Sequence, residues 1–250
     1  WAMNYHRLPL HESLGLEADY STEQLLSVTQ MLIEKSNALH GQLAKNDSLK
    51  IDLPYSKNNI LKMVPEGFEA LQKEFPHLEY HPKSLKKSLF SLPLTYMGFS
   101  GYLNPLTNEA QINGLIVPYR FPVVAFHEVA HQLGYAKENE ANFIGGMSDI
   151  NHKDTYFNYS GYTFLLKHCL LEIYKRDNKL YFKTLKTINK GILKNYQEVQ
   201  DFWDNHQNPA EPLFKSTYNI YLIANNQVDG MKSYSYVVAL IVNYFNNEAL

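Results

Sequence analysis

The sequence predicts a mainly α, α+β protein: a helical frame, a small antiparallel sheet near its middle, and a helical C-terminal half. Three observations predict it. Apolar residues recur at helical spacing over most of the chain. Residues 95–116 instead break into short runs separated by turn residues. A hydrophobic content of 45% in 250 residues is enough to bury a substantial core.

The elements follow in order. After an irregular opening, Asp19, Tyr20, Ser21, Thr22, Glu23 and Gln24 have capping chemistry, and Leu25, Leu26, Met31, Leu32, Leu39 and Leu43 continue a helix to about Ala44. A second helical region covers residues 57–75, with a kink expected at Pro65 near Gly67. Pro76, Pro82 and Pro93 mark a loop, which holds His77 and His81. Residues 96–103 and 109–113, separated by a turn at 104–108, read as antiparallel strands. Beyond residue 151, helices are expected at 156–174, 180–203, 212–225 and 233–245. The chain reads as one domain, 1–250, whose lobes (about 1–150 and 151–250) flank a cleft and meet near Asn151, His152, Lys153 and Asp154.

Residues 121–136, FPVVAFHEVAHQLGYA, carry the chemistry. His127 and His131 are four apart and share a helix face, so both rings can reach one metal ion. Glu128 then points toward the ion's open side, where it can take a proton from water. The rest of the segment is nearly all apolar, and a buried imidazole or carboxylate without a partner is costly. A zinc ion supplies that partner. Gly134 sits where the helix can stop through a left-handed residue. A second helix then starts with Glu138, Asn139, Glu140, Ala141 and Asn142 and can deliver a third ligand. Glu138 is the first choice, because Asn142, four residues on, then shares its face and can orient an imidazole. Glu140 is the alternative. Position 137, where a metzincin carries its third histidine, is Lys137.

The stretch from Tyr96 to Met147, with HEVAHQLGYAKENEANF at its centre, resembles a bacterial membrane-anchored, zincin-like family known as domain of unknown function 3810. The opening from Trp1 to Arg7 is similar to the segment after that family's last membrane helix. A block with Tyr218, Tyr221, Leu222, Asn225, Gly230, Met231, Ser233 and Tyr234 is similar again. The resemblance implies a zincin-like fold of the gluzincin kind, three preceding membrane helices and an extracytoplasmic position anchored to the inner membrane. Asn142 departs from the aspartate usual on the gluzincin glutamate helix. In such folds an edge strand before the motif helix pairs with substrate backbone. Glu109, Ala110, Gln111, Ile112 and Asn113 are the candidate edge, or else an ordinary hairpin strand. Tyr234 is the favoured oxyanion donor, or else a packed core ring; Tyr159 and Tyr162 are lesser candidates.

Composition narrows the alternatives. A net charge of −2, from 23 basic and 25 acidic side chains, gives no argument for nucleic acid. One cysteine, Cys169, excludes an internal disulfide and sits in an apolar helical run. No run is long enough to span a bilayer. There is no nucleotide-binding glycine loop and no serine nucleophile elbow. The expectation is therefore a zinc-dependent peptidase acting on a peptide or protein. The rival is a non-catalytic, partner-binding metal module, whose closed zinc site would need a fourth protein ligand, from Glu140 or a distant histidine.

Overall fold

The computed structural model describes residues 8–17, 19–81, 84–208 and 236–248. The described residues are mainly helical with a three-stranded sheet. The helices are α1 (Leu10–Ser13), α2 (Thr22–Leu43), α3 (Lys57–Leu71), α4 (Ser91–Met97), α5 (Phe121–Gln132), α6 (Glu138–Ile150), α7 (Thr155–Arg176), α8 (Asn178–Leu185), α9 (Lys190–Asp204) and α10 (Tyr236–Glu248). The strands are β1 (Leu85–Lys87), β2 (Gly101–Leu103) and β3 (Ala110–Ile112).

Local chemistry fixes the helix ends. At α2, Ser21 Oγ accepts from Gln24 N and the Gln24 side chain accepts from Ser21 N, which closes a reciprocal cap. At α7, the Asp154 carboxylate accepts from the amides of Tyr156 and Phe157 and from the Tyr55 hydroxyl. The expected helix at 180–203 is two helices. The chain breaks at residues 186–189 so that Asn189 N donates to Asn37 Oδ1 and Gly191 N donates to Asp47 O. An unbroken helix would carry those groups away from α2 and the loop that follows it. The expected helix at 212–225 lies outside the described residues.

The sheet also differs from expectation. It is mixed, in the order β1-β3-β2, with β1 parallel and β2 antiparallel to β3. Tyr96 and Met97, expected to open a strand, instead end α4, and Gly98, at φ 80°, stops that helix in the left-handed region. Strand β1 gave no signal, since Lys86 and Lys87 are exposed and the run is three residues long. Lysines on a short edge strand are a usual device against unwanted pairing.

Helix α5 lies at the centre, against α6, α7 and α3 and against β2 and β3. The buried apolar side chains form one cluster extending from Leu10 to Tyr244, with α10 packed on α6, α2 and α7. Two glycines permit close helix approaches along α6. A Cβ on Gly145 would lie 3.0 Å from His127 N, and one on Gly146 would lie 2.4 Å from Leu165 Cδ2. No helix among the described residues is long and apolar enough to cross a membrane.

Candidate metal centre

The first two donors come from α5. His127 and His131 stand four residues apart, and their Nε2 atoms approach to 3.0 Å. Immediately after the second ring the helix stops as the sequence expects. Gly134 takes φ 97°, Gly134 N donates to His131 O, and Tyr135 N donates to Ala130 O. The reversal has a second effect. His131 Nδ1 lies 2.7 Å from Tyr135 O and donates to it, which leaves the Nε2 lone pair free to face inward. At the same end of α5, Gln132 Nε2 donates to Ser84 O and Asn108 O, tying the helix to the loops beside the sheet.

The third donor is Glu138, the first residue of α6. Its Oε2 is 3.3 Å from His127 Nε2 and its Oε1 is 3.6 Å from His131 Nε2. Donors around a tetrahedral ion with bonds of about 2.0–2.1 Å stand about 3.3–3.4 Å apart. The imidazole Nε2 atoms stand 3.0 Å apart and each has a Glu138 oxygen near that separation, Oε2 at 3.3 Å from His127 and Oε1 at 3.6 Å from His131, so the three residues surround a space of about the size a zinc ion takes. Two imidazole nitrogens and one carboxylate also make the donor set that zinc favours. The residues present fit the ion.

Glu140 does not compete. Its Oε1 accepts from Leu10 N at 2.8 Å, and Lys137 Nζ is 3.8 Å away, so its carboxylate faces α1. Among the described residues, His127, His131 and Glu138 are the group able to hold a metal ion. Asn142, one turn along α6 from Glu138, lies on the His127 side and favours the charged imidazole, although His127 Nδ1 finds no partner of standard geometry.

Electrostatics bind the group together. Burial disfavours a charged His127, yet Glu138 and Glu128 outweigh it and raise the ring above the ordinary histidine range. Burial lowers His131; Glu138 opposes this and His127 reinforces it. Glu128 is 4% exposed and its Oε2 has no hydrogen-bond partner. Burial pushes its carboxyl up to about 8, with His127 opposing and Glu138 adding. A divalent cation among these groups would hold both carboxyls ionised.

Strand β2 closes over the base. A Cβ on Gly101 would lie 2.6 Å from Glu128 Oε1, so a larger residue there would make the Glu128 carboxylate shift. The sequence reading missed Gly101, which has no motif of its own. The expected edge strand is corrected by the topology: Ala110, Gln111 and Ile112 form β3, the middle strand, paired on both sides. Glu109 instead meets Lys86 Nζ at 2.6 Å, and Asn113 is fully buried, donating to Thr95 Oγ1. None of the five presents a free pairing edge. Tyr159 Oη donates to Asn195 Oδ1 inside the core, away from an oxyanion role. Tyr234 lies outside the described residues. Cys169 is a buried thiol that burial pushes up to about 12.

Comparison with known proteins gives a family and no activity. A family model described as a protein of unknown function, DUF3810, matches residues 1–242, and the chain belongs to that family. No curated protein and no solved structure matches it.

Proposed function

We propose that this member of the DUF3810 family is a zinc-dependent peptidase with a zincin-like centre. The observation that carries the reading is the donor group of His127, His131 and Glu138 beside a buried Glu128 whose Oε2 has no hydrogen-bond partner among the described residues. Zinc, when bound, supplies Lewis acidity that brings the pKa of water toward about 7 and polarises a carbonyl. The chain's own residues do the rest. Glu128 receives the proton that water gives up and passes it to the leaving amine. His131, fixed by Tyr135 O, keeps its Nε2 inward, and Asn142 favours the charged form of His127. Gly101 holds the lid over Glu128 close enough to exclude bulk solvent from the carboxylate. Tyr234 is the phenol expected to steady the oxyanion.

The rival closed site needs a fourth protein ligand. Commitment of Glu140 to Leu10 N removes the nearest candidate, which favours an open, catalytic site. The family resemblance extends the proposal to location: an extracytoplasmic domain held to the inner membrane by preceding helices. The test of the activity is Glu128→Gln. Zinc by elemental analysis should remain stoichiometric while hydrolysis of a peptide library falls about 10²–10⁴-fold. Unchanged turnover would remove Glu128 from the chemistry.

A further inference from the structure

Between the start of α5 and helices α7 and α9 lies a cavity of about 150 Å³, the size of one that admits a benzene ring. Arg120, at the N-terminal end of α5, and Lys167, on α7, line it, together with Val124, Gln200, Phe202 and Trp203. Among the described residues its lining carries two cations and no carboxylate. Among the described residues neither cation has an ion-pair partner. The Arg120 guanidinium lies over the Phe164 ring, 4.5 Å from its centre, and Lys167 Nζ lies 5.8 Å from that of Tyr196. Such contacts hold a cation in place without neutralising it.

The two charges feel each other. Burial, and then Arg120, bring Lys167 down to about 8. The neighbouring His168 is held at about 3 by burial, Arg120 and Lys167. The carboxyl that acts on Arg120 belongs to Asp149, which burial itself keeps well above the usual carboxylate range. A pair of half-buried like charges is unfavourable until an anion sits between them.

Helix geometry sets the cavity beside the proposed chemistry. At about 100° per residue, Arg120, Val124, His127 and His131 fall within about 60° of one another, on one stripe of α5. Val124 precedes His127 by about 4.5 Å of helix rise and Arg120 by about 10 Å. Extended peptide advances about 3.3–3.6 Å per residue, so the cavity lies one to three residues from a bond at the metal centre.

We infer that this cavity is a carboxylate subsite, in which Arg120 and Lys167 hold the carboxylate of a peptide whose apolar body lies against Val124, Phe202 and Trp203. The anion comes from the peptide's C-terminus or from an acidic side chain near the cleaved bond. That the ligand is a peptide rests on the peptidase reading above; the preference for an anion does not.

The test is binding, read without turnover. Trp203 emission is followed in the zinc-loaded Glu128→Gln chain, with Trp1→Phe removing the second tryptophan. The probes are acetyl-Ala-Ala-Phe as free acid, the same peptide as its amide, acetyl-Glu-Ala-Phe amide, and inorganic phosphate. The free acid should bind at least about tenfold tighter than the neutral amide. Recovery of affinity by the glutamyl amide would assign the carboxylate to a side chain; failure to recover it would assign it to the C-terminus. Lys167→Met should erase the difference. Gln200→Glu, at an exposed position, should do so without touching the core. Equal affinity for acid and amide, or binding of phosphate alone, would overturn the subsite. Charge-selective binding without turnover by the unmutated chain would instead sink the peptidase reading and leave the subsite standing.

Discussion

Gly101 and Glu128 share a space that has room for one side chain. A methyl at position 101 would lie 2.6 Å from Glu128 Oε1 and 2.8 Å from its Cγ and Cδ, so the carboxylate would have to turn away. Misplacing a reacting group by about 1 Å can cost about 10²-fold in rate. Gly101→Ala is therefore expected to lower kcat about 10²-fold with zinc still stoichiometric, read by peptide turnover beside elemental analysis. Loss of zinc, or unchanged kcat, would count against the positioning role. The pair also marks what the sequence could reveal at this scale. His127, His131 and Glu128 were legible because a helix converts spacing into direction. Glu138 was separable from Glu140 only by phase, and the structure adds what phase could not: the Leu10 amide that claims Glu140. Gly101 and Tyr135 O were illegible, the first because its meeting with Glu128 is tertiary and the second because a carbonyl has no sequence signature.

Helices α5 and α6 meet through a glycine that makes the metal centre possible. Alanine in a helix interior is ordinarily favoured over glycine by about 1 kcal/mol. At position 145 the added Cβ would lie 3.0 Å from His127 N and 3.1 Å from its Cα, backbone atoms that cannot swing aside. Gly145→Ala should then cost about 1–3 kcal/mol through overpacking. By moving α6 off α5 it should also weaken zinc binding, because Glu138 rides on α6 and both imidazoles on α5. Thermal melts and zinc competition against a chelating dye measure the two effects; unchanged zinc affinity with a lower Tm would confine Gly145 to packing. Long helices were the readable elements, since period and caps agree at α2 and α7. The short strands were not. Three residues give no alternation to read, and parallel pairing of β1 with β3 joins segments more than twenty positions apart. The misassigned edge follows from that: a strand's place in a sheet depends on partners that its own residues do not name.

At the scale of the whole molecule, charge inside the core decides how stability answers to pH. Asp149, on α6 where it meets α7, is fully buried, and among the described residues neither carboxylate oxygen finds a hydrogen bond of standard geometry. Burial raises its carboxyl well above 3.8; Ser160 and Arg120 oppose this and Asp154 adds to it. The folded chain thus keeps a proton that the unfolded chain releases once the pH passes about 3.8. Where the folded state binds more protons, stability falls as pH rises, and it continues to fall until the folded carboxyl ionises in turn. Asp149 therefore lowers stability at neutral and alkaline pH while contributing no such penalty in acid. Asparagine has nearly the same shape, cannot ionise, and adds an amide donor beside the unpartnered Ser148 and Ser160 hydroxyls. Asp149→Asn should raise Tm at about pH 8, by an amount equivalent to about 1–3 kcal/mol, and the gain should fade as the pH falls through about 3.8, below which Asp149 is protonated in the folded and the unfolded chain alike. Paired melts across that range measure it. If Asp149 instead carries a charge that Arg120 needs, the variant would melt lower at pH 8, and the same measurement would expose an ion pair reaching from the core toward the cavity at the head of α5.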